Sequence, residues 1–338
     1  MSEMTKKNPV LKILLGNSRL IVLLIMVVVF TLLTGGKFFS YKNLVNILYA
    51  VSLYGIMITG ASFAVLLGGI DRTVSGNAAL SGAIVAMTIL NRGVGGGNVA
   101  LAIFLGLGAG ALSGLIHGLI LSRFNIPAFL LTLATNEVLY GIVQYVTGNQ
   151  LIYIRDCALM DYIGQVRWLG IPIPVYIMIV CVIISYIVLN HTVYGRQVYS
   201  VGGNRISSEL SGVPARRDIL IAYIVSGITG ALAGFVLSSM NQQASSTQAK
   251  NYENDVLAAI VVGGVSMRGG AGTIQGAILG AFLIGVIGNG MTLIGIDAIY
   301  HNMIKGLIII FAISIDMASV PGTPLNNFFR RFKQKKTA

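Results

Sequence analysis

The stretch that decides the architecture runs through residues 99–121 and reads VALAIFLGLGAGALSGLIHGLIL. It carries no Asp, Glu, Lys or Arg, and about 20 apolar residues suffice to cross the hydrocarbon core as an α-helix. Within it Gly106, Gly110, Gly114 and Gly118 recur at every fourth position. Four residues advance a helix by one turn and about 40°, so the glycines form a slowly winding groove that another backbone can approach closely. Gly230 and Gly234 repeat the spacing, as do Gly276 and Gly280. Static packing and a surface on which helices slide both fit this pattern.

The rest of the chain has the same character. Of 338 residues, 55% are hydrophobic and 10% charged, where a soluble domain carries about 25% charged residues. The mean hydropathy is +0.82. Too little polar side chain is present to coat a globule in water, which excludes soluble and disordered classes. The 42 glycines suit close helix packing in lipid. The net charge of +12 sits at the two ends and in one internal loop, without interleaved aromatics. It reads as membrane topology, and no nucleic-acid partner is expected. Cys157 and Cys181 offer neither metal-ligand spacing nor a disulfide framework. Gly106-Leu107-Gly108-Ala109-Gly110 lies inside an apolar helix, and Gly36-Lys37 is followed by Phe38. Neither is a nucleotide-binding loop.

Ten candidate spans follow, at 20–34, 44–67, 74–90, 99–121, 128–147, 173–190, 219–239, 255–266, 274–293 and 300–315. The first reads as a retained anchor, because no small-residue cleavage site follows it. Continuous apolar runs favour helices over a barrel. The eighth span is short, fitting a half-length or broken helix. With a cytoplasmic N-terminus, Lys37, Lys42, Arg92, Arg155, Arg167 and Lys250 fall outside and Lys305 within a span. The other sixteen of the 23 Lys and Arg fall inside, as the positive-inside rule requires. The expectation is one all-α membrane domain over 1–338, with both termini cytoplasmic. It has a basic N-terminal segment at 1–19, a cytoplasmic loop at 191–218 and a basic tail at 317–338. The outer loop 148–172 holds the only tryptophan, Trp168.

Charges within spans are costly and mark function by default. Asn136 and Glu137 stand mid-span in the fifth candidate, Asn289 in the ninth, and Asp71, Asp255 and Asp316 at span ends. Glu137 reads either as a carboxylate bonded to a neighbouring helix or as a group that bonds a polar solute in transit. Lys305 is placed to snorkel, and His117, His191 and His301 share no ligand spacing. In the cytoplasmic loop Asn204 is a good N-cap, and Ile206, Leu210 and Val213 recur on one helical face until Gly212 and Pro214 stop it. This predicts a short surface helix over 204–213 that either rests on headgroups or docks a partner. A repeat is suggested by Gly68-Gly69-Ile70-Asp71 before Gly82-Ala83-Ile84-Val85, and Gly263-Gly264-Val265-Ser266 before Gly276-Ala277-Ile278-Leu279.

Over nearly its whole length the chain resembles the permease subunits of bacterial ABC importers for simple sugars, of the ribose and galactoside type. The resemblance is carried by Gly68-Gly69-Ile70-Asp71, Asn125-Ile126-Pro127-Ala128-Phe129, and Tyr194-Gly195-Arg196 leading to Gly202-Gly203-Asn204. Leu210-Ser211-Gly212-Val213, and Tyr252-Glu253-Asn254-Asp255 running into Gly263-Gly264-Val265-Ser266, complete it. It implies a multi-pass protein of the bacterial inner membrane, working with two ATPase chains, a second permease chain and an extracytoplasmic binding protein. It makes Gly203, Asn204, Glu209, Leu210, Ser211, Gly212 and Val213 the ATPase-coupling segment. ATP and Mg are then held by the partner, and this chain carries no cofactor, metal or catalytic residue. The family usually continues with Leu-Ser-Val-Gly where this chain has Arg72-Thr73-Val74-Ser75. It tends to be uncharged at Asn136-Glu137 and to carry Leu at Asn254.

These readings converge on import of a monosaccharide delivered to the outer mouth. Asp71, Asn136, Glu137, Asn254, Asp255 and Asn289 are the candidate pathway residues. Arg155, Arg167 and Lys250 are the candidate docking residues for the binding protein. A nucleoside or other small polar solute is the alternative cargo. An ion-coupled secondary transporter is a weaker rival, since Glu137 stands alone mid-span. A membrane enzyme finds no paired catalytic residues.

Overall fold

The computed structural model describes residues 18–297, 299–307 and 310. The tails at 1–17 and 317–338, Asp316 and the end of the tenth candidate span lie outside the described residues. Twelve α-helices with their own bounds appear in the described part. They are α1 (Ser18–Leu33), α2 (Tyr41–Leu66), α3 (Val74–Arg92), α4 (Gly96–Arg123), α5 (Ala128–Thr147), α6 (Ala158–Gln165), α7 (Ile173–His191), α8 (Val193–Gly203), α9 (Arg205–Leu210), α10 (Ala215–Asn241), α11 (Tyr252–Val262) and α12 (Ile274–Leu293). The segment 299–307 is also helical. Two small antiparallel pairings occur, β1 (Ile152–Tyr153) with β4 (Gln243–Ala244), and β2 (Arg167–Trp168) with β3 (Ile171–Pro172).

Seven helices are long and apolar enough to cross a membrane: α2, α3, α4, α5, α7, α10 and α12. The expected count of ten therefore stands at seven by length among the described residues. The first candidate forms the 16-residue α1, and the eighth forms only the 11-residue α11. At 1.5 Å per residue α11 rises about 16 Å, roughly half of a bilayer core.

Helices α2 and α10 form the centre, and their faces meet α3, α4, α11 and α12. Ile56, Met57, Ile58, Val236, Ile260 and Ile284 are buried among them. Gly110, Gly114 and Gly118 of α4 lie on the backbone of α10: a Cβ at Gly118 would come within 2.8 Å of Leu220 Cα, and one at Gly114 within 2.8 Å of Ile224 Cα. From the other side, a Cβ at Gly227 would overlap the carbonyl of Gly110. Gly106 instead faces Ser81 of α3.

The suspected repeat has a physical form, shifted by one residue. Gly68 and Gly264 both adopt left-handed backbone, φ 81° and 79°. Gly69 N–H then reaches Ala64 O at 2.9 Å and Val265 N–H reaches Ile260 O at 3.0 Å, the same Schellman cap. Gly68 thus corresponds to Gly264, where the motif alone aligns it with Gly263.

Candidate functional site: a half-length helix between two ion pairs

Helix α11 begins after Asn251, whose left-handed φ of 70° turns the chain, and places Glu253 and Asp255 in its first turn. Carboxylates there complement the positive end of the helix dipole. Both are nearly fully buried, and each meets a cation from a distant part of the chain. Arg72, in the turn between α2 and α3, places Nη2 3.2 Å from Glu253 Oε1. The Arg72 guanidinium also lies 5.6 Å from the centre of the Phe129 ring of α5, a cation–π distance. Lys305 places Nζ 2.8 Å from Asp255 Oδ2. Its expected snorkelling is thereby corrected: an acid in reach competes better for the ammonium than the bilayer surface does. Buried pairs of this kind gain little net stability, but stranding one partner is expensive.

The other candidate pathway residues divide into held and open. Asp71 is buried, and its Oδ1 accepts from Thr73 N at 2.8 Å and Thr73 Oγ1 at 2.6 Å, fixing the residue that precedes α3. Asn136 Oδ1 accepts from Gly76 N at 2.9 Å and Ser75 Oγ at 3.2 Å, which ties α5 to α3. Asn289 forms a reciprocal amide pair with Asn43 of α2, 2.9 Å in each direction. Asn254 is half-buried beside Glu253 and Asp255. Glu137 is exposed on the outward face of α5 and forms no hydrogen bond or ion pair among the described residues. Among the described residues no neighbouring helix of this chain binds its carboxylate.

The two ends of the bundle differ. At one end stand the start of α2 and the ends of α3, α5 and α10, linked by the β1–β4 pairing and by Tyr41 Oη donating to Gly170 O at 2.7 Å. Arg155, Arg167 and Lys250 all project there and are exposed. A groove of about 780 Å³ opens at this end, lined among others by Leu90, Val94, Tyr145, Gly148, Tyr153 and Arg155. At the opposite end α8 and α9 form an elbow. Helix α8 stands where the sequence pattern predicts only loop. Its signals are Thr192, which accepts from Gly195 N at 3.2 Å as an N-cap, and the helically spaced Tyr194, Val198 and Val201. Tyr194 Oη donates to Asp218 O at 3.1 Å and Tyr199 Oη to Gly272 O at 3.0 Å, seating α8 beneath the bundle. Burial, with Asp218 adding to it, pushes the Tyr194 hydroxyl above its ordinary value, so it stays a neutral donor.

The expected surface helix is shorter than 204–213. Asn204 Oδ1 accepts from Ser207 N at 2.9 Å and starts α9, which ends at Leu210. Gly212 has φ 83°, and Val213 N–H returns to Ser208 O at 3.0 Å, so Ser211, Gly212 and Val213 form its C-terminal cap. Glu209 pairs with Arg205 at 3.0 Å on the surface. Ile206 and Leu210 are 73% and 85% exposed, and Gly203 has open space where a side chain would stand.

Four residues that the sequence reading did not assign to the site are Arg72, Glu253, Lys305 and His117. His117 lies within α4 and is buried, near Asp71. Arg72 and Lys305 had one available signal, a cation at or within an apolar span, which demands a partner. Among the described residues no cluster of three metal-ligating side chains occurs.

A bundle with seven helices long and apolar enough to cross a membrane defines a multi-pass membrane protein. Residues 43–313 match the family described as the permease component of the branched-chain amino acid transport system, and the chain belongs to that family. It is 35% identical over 295 residues to the ribose import permease protein RbsC of Bacillus subtilis, covering 87% of this chain and 90% of the relative. It is 33% identical to the fructose import permease protein FrcC of Rhizobium meliloti, over 88% of this chain and 84% of the relative. It is 29% identical to the L-arabinose transport system permease protein AraH of Escherichia coli K12, over 83% and 84%. No solved structure matches the chain.

Proposed function

We propose that this chain is the permease subunit of an ATP-driven importer that carries a monosaccharide inward. The observation that carries the reading is the similarity over most of the chain to importers of ribose, fructose and arabinose. It has no catalytic role: ATP and Mg are held by separate ATPase chains in the cytoplasm. The exposed Ile206 and Leu210 on the α9 elbow, framed by Gly203, Asn204, Glu209, Ser211, Gly212 and Val213, are the surface on which the ATPase bears. A binding protein delivers sugar at the opposite end, where its acidic groups meet Arg155, Arg167 and Lys250. A second permease chain completes the membrane unit.

In this reading α1, α11 and the helix at 299–307 join the seven long helices to make ten crossings of one domain, with both termini cytoplasmic. Helix α11 crosses at half length, its first turn held between Arg72 and Lys305. Asp71, Asn136 and Asn289 position the helices around the route, while Glu137 and the region of Asn254 and Asp255 stand along it. When the ATPases close, the elbow moves, and α4 and α10 shift along their glycine contact.

The family description favours a second cargo, branched-chain amino acids. Uptake of labelled pentoses, hexoses, nucleosides and branched-chain amino acids, in a deletion strain with and without the restored chain, separates the readings. Rescue of one sugar is expected, and it should survive collapse of the proton gradient while ATP is maintained. Rescue of leucine alone would replace the sugar reading.

A further inference from the structure

The polar groups buried in the bundle are not all matched. A donor or acceptor inside a membrane span has no bulk water to turn to, so its partners must lie within the protein. Among the described residues, both ring nitrogens of His117, the hydroxyls of Ser113 and Tyr223, and Asn77 Oδ1 are buried without a hydrogen-bond partner. They belong to α4, α10 and α3, and the fold brings them toward Asp71. Ser113 and His117 stand one turn apart on the buried stripe of α4 that holds Gly110, Gly114 and Gly118, the glycines that lie on α10. Leu121, a turn beyond His117, packs with Tyr223. The Tyr223 hydroxyl lies against Gly69, where an added Cβ would overlap it. Asn77 Nδ2 donates to Thr73 Oγ1 at 3.2 Å, and that hydroxyl donates to Asp71 Oδ1 at 2.6 Å. Asp71 lies within electrostatic reach of both His117 and Tyr223.

Asp71 is 1% exposed and forms no ion pair among the described residues. Its neighbour Arg72 is turned to Glu253. A buried carboxylate needs a compensating charge, and the base within its reach is His117. Histidine gains and loses its charge between about pH 5 and 8. When charged it offers two N–H donors, and when neutral one donor and one acceptor, so a ring with both nitrogens free can serve in either state. We infer that His117 and Asp71 form an internal proton-binding site whose occupancy ties α4 to the turn between α2 and α3. Loading forms one N–H bond on the ring with a proton taken from water, and turns the negative site neutral. The other charged or titratable groups that the packed elements bring near are Arg72 on the turn and Tyr223 on α10. Helices α3 and α5 contribute Asn77 and Thr132, which do not titrate, and Arg123 and Asp218 stand at the end of α4 and the start of α10. The effect on uptake rests on the proposed function, in which α4 shifts along α10: a tied α4 resists that shift, so loading slows transport.

The test uses the full chain with its partners in proteoliposomes, and compares each variant with wild type under the same partners. Wild-type uptake should fall about fivefold as pH is lowered from about 8 to about 5.5, the range in which histidine changes charge. His117→Asn should flatten that profile, and an unchanged profile would overturn the tie between the site and transport. A second readout needs no transport. In a chain carrying His191→Gln and His301→Gln, His117 is the one histidine left, and its ring-nitrogen NMR signals report the proton directly. Both nitrogens should pass together to the protonated form with one midpoint between about pH 5 and 8, and Asp71→Asn should move that midpoint by about one unit. A ring that keeps one state across that range, or a midpoint that ignores Asp71→Asn, would overturn the proton site. If wild type moves no sugar, the functional proposal fails, while the spectra still decide the site.

Discussion

Replacing Lys305 by Met should destabilise the chain by more than any surface change. The side chain keeps its length and apolar stem but loses the ammonium that lies 2.8 Å from Asp255 Oδ2. The Asp255 and Lys305 side chains are 8% and 18% exposed, so the stranded carboxylate recovers little hydration. Removing one partner of a buried pair costs about 3–5 kcal/mol. The N-terminal dipole of α11 offsets about 0.3–1 kcal/mol of this, leaving roughly 2–4 kcal/mol. The converse change, Asp255→Asn, should cost less, about 1–2 kcal/mol, because the freed lysine has a long stem with which to reach water. The double variant removes both charges and should lie within about 1 kcal/mol of wild type. At about 2 °C per kcal/mol for a chain of this size, the Tm of purified Lys305→Met in detergent should fall by about 4–8 °C in calorimetry, and the double variant should recover most of it. A Tm within about 1 °C of wild type for Lys305→Met, or additive losses in the double variant, would refute the pairing argument.

Three further outcomes are expected. Gly114→Leu should abolish the monodisperse peak in size-exclusion chromatography, because its Cβ would overlap the Tyr223 carbonyl, whereas Gly108→Leu on the same helix, with open space beside it, should leave the peak intact. Asn289→Leu should cost about 1–3 kcal/mol by leaving Asn43 Oδ1 without its donor, while Asn43 Nδ2 keeps its bond to Phe38 O, and Asn43→Leu/Asn289→Leu should restore part of that in thermal melts. Ile206→Glu/Leu210→Glu should leave stability within about 0.5 kcal/mol, as exposed positions do, yet abolish uptake and copurification of the ATPase.

Much of the bundle was legible because lipid imposes long apolar runs on each span separately. The glycine spacing on α4 announced a close approach for the same reason: it is a property of one helix surface. Its partner was less visible, since Gly227, the α10 residue whose added Cβ would overlap Gly110, falls outside the Gly230–Gly234 pair. The ion pairs were not legible, because Arg72 and Glu253 are 181 residues apart and no local pattern encodes which acid a cation will find. Helix α8 was missed because its glycines lower intrinsic helix propensity, while anchoring by Tyr194 and Tyr199 is tertiary. Glu137 was legible as anomalous, but only the folded chain distinguishes a carboxylate bonded inside from one facing out.

The single tryptophan gives the molecule a built-in reporter. Trp168 ends β2 at the Arg155 end, 60% exposed, with its ring 5.4 Å from that of Tyr176. Every photon emitted by indole in the isolated chain therefore originates at one mouth of the bundle. If a delivery protein seats there, as the proposed function requires, one stripped of its own tryptophans would shield that ring from iodide. The lifetime of the docked state could then be timed by collisional quenching, with no dye attached.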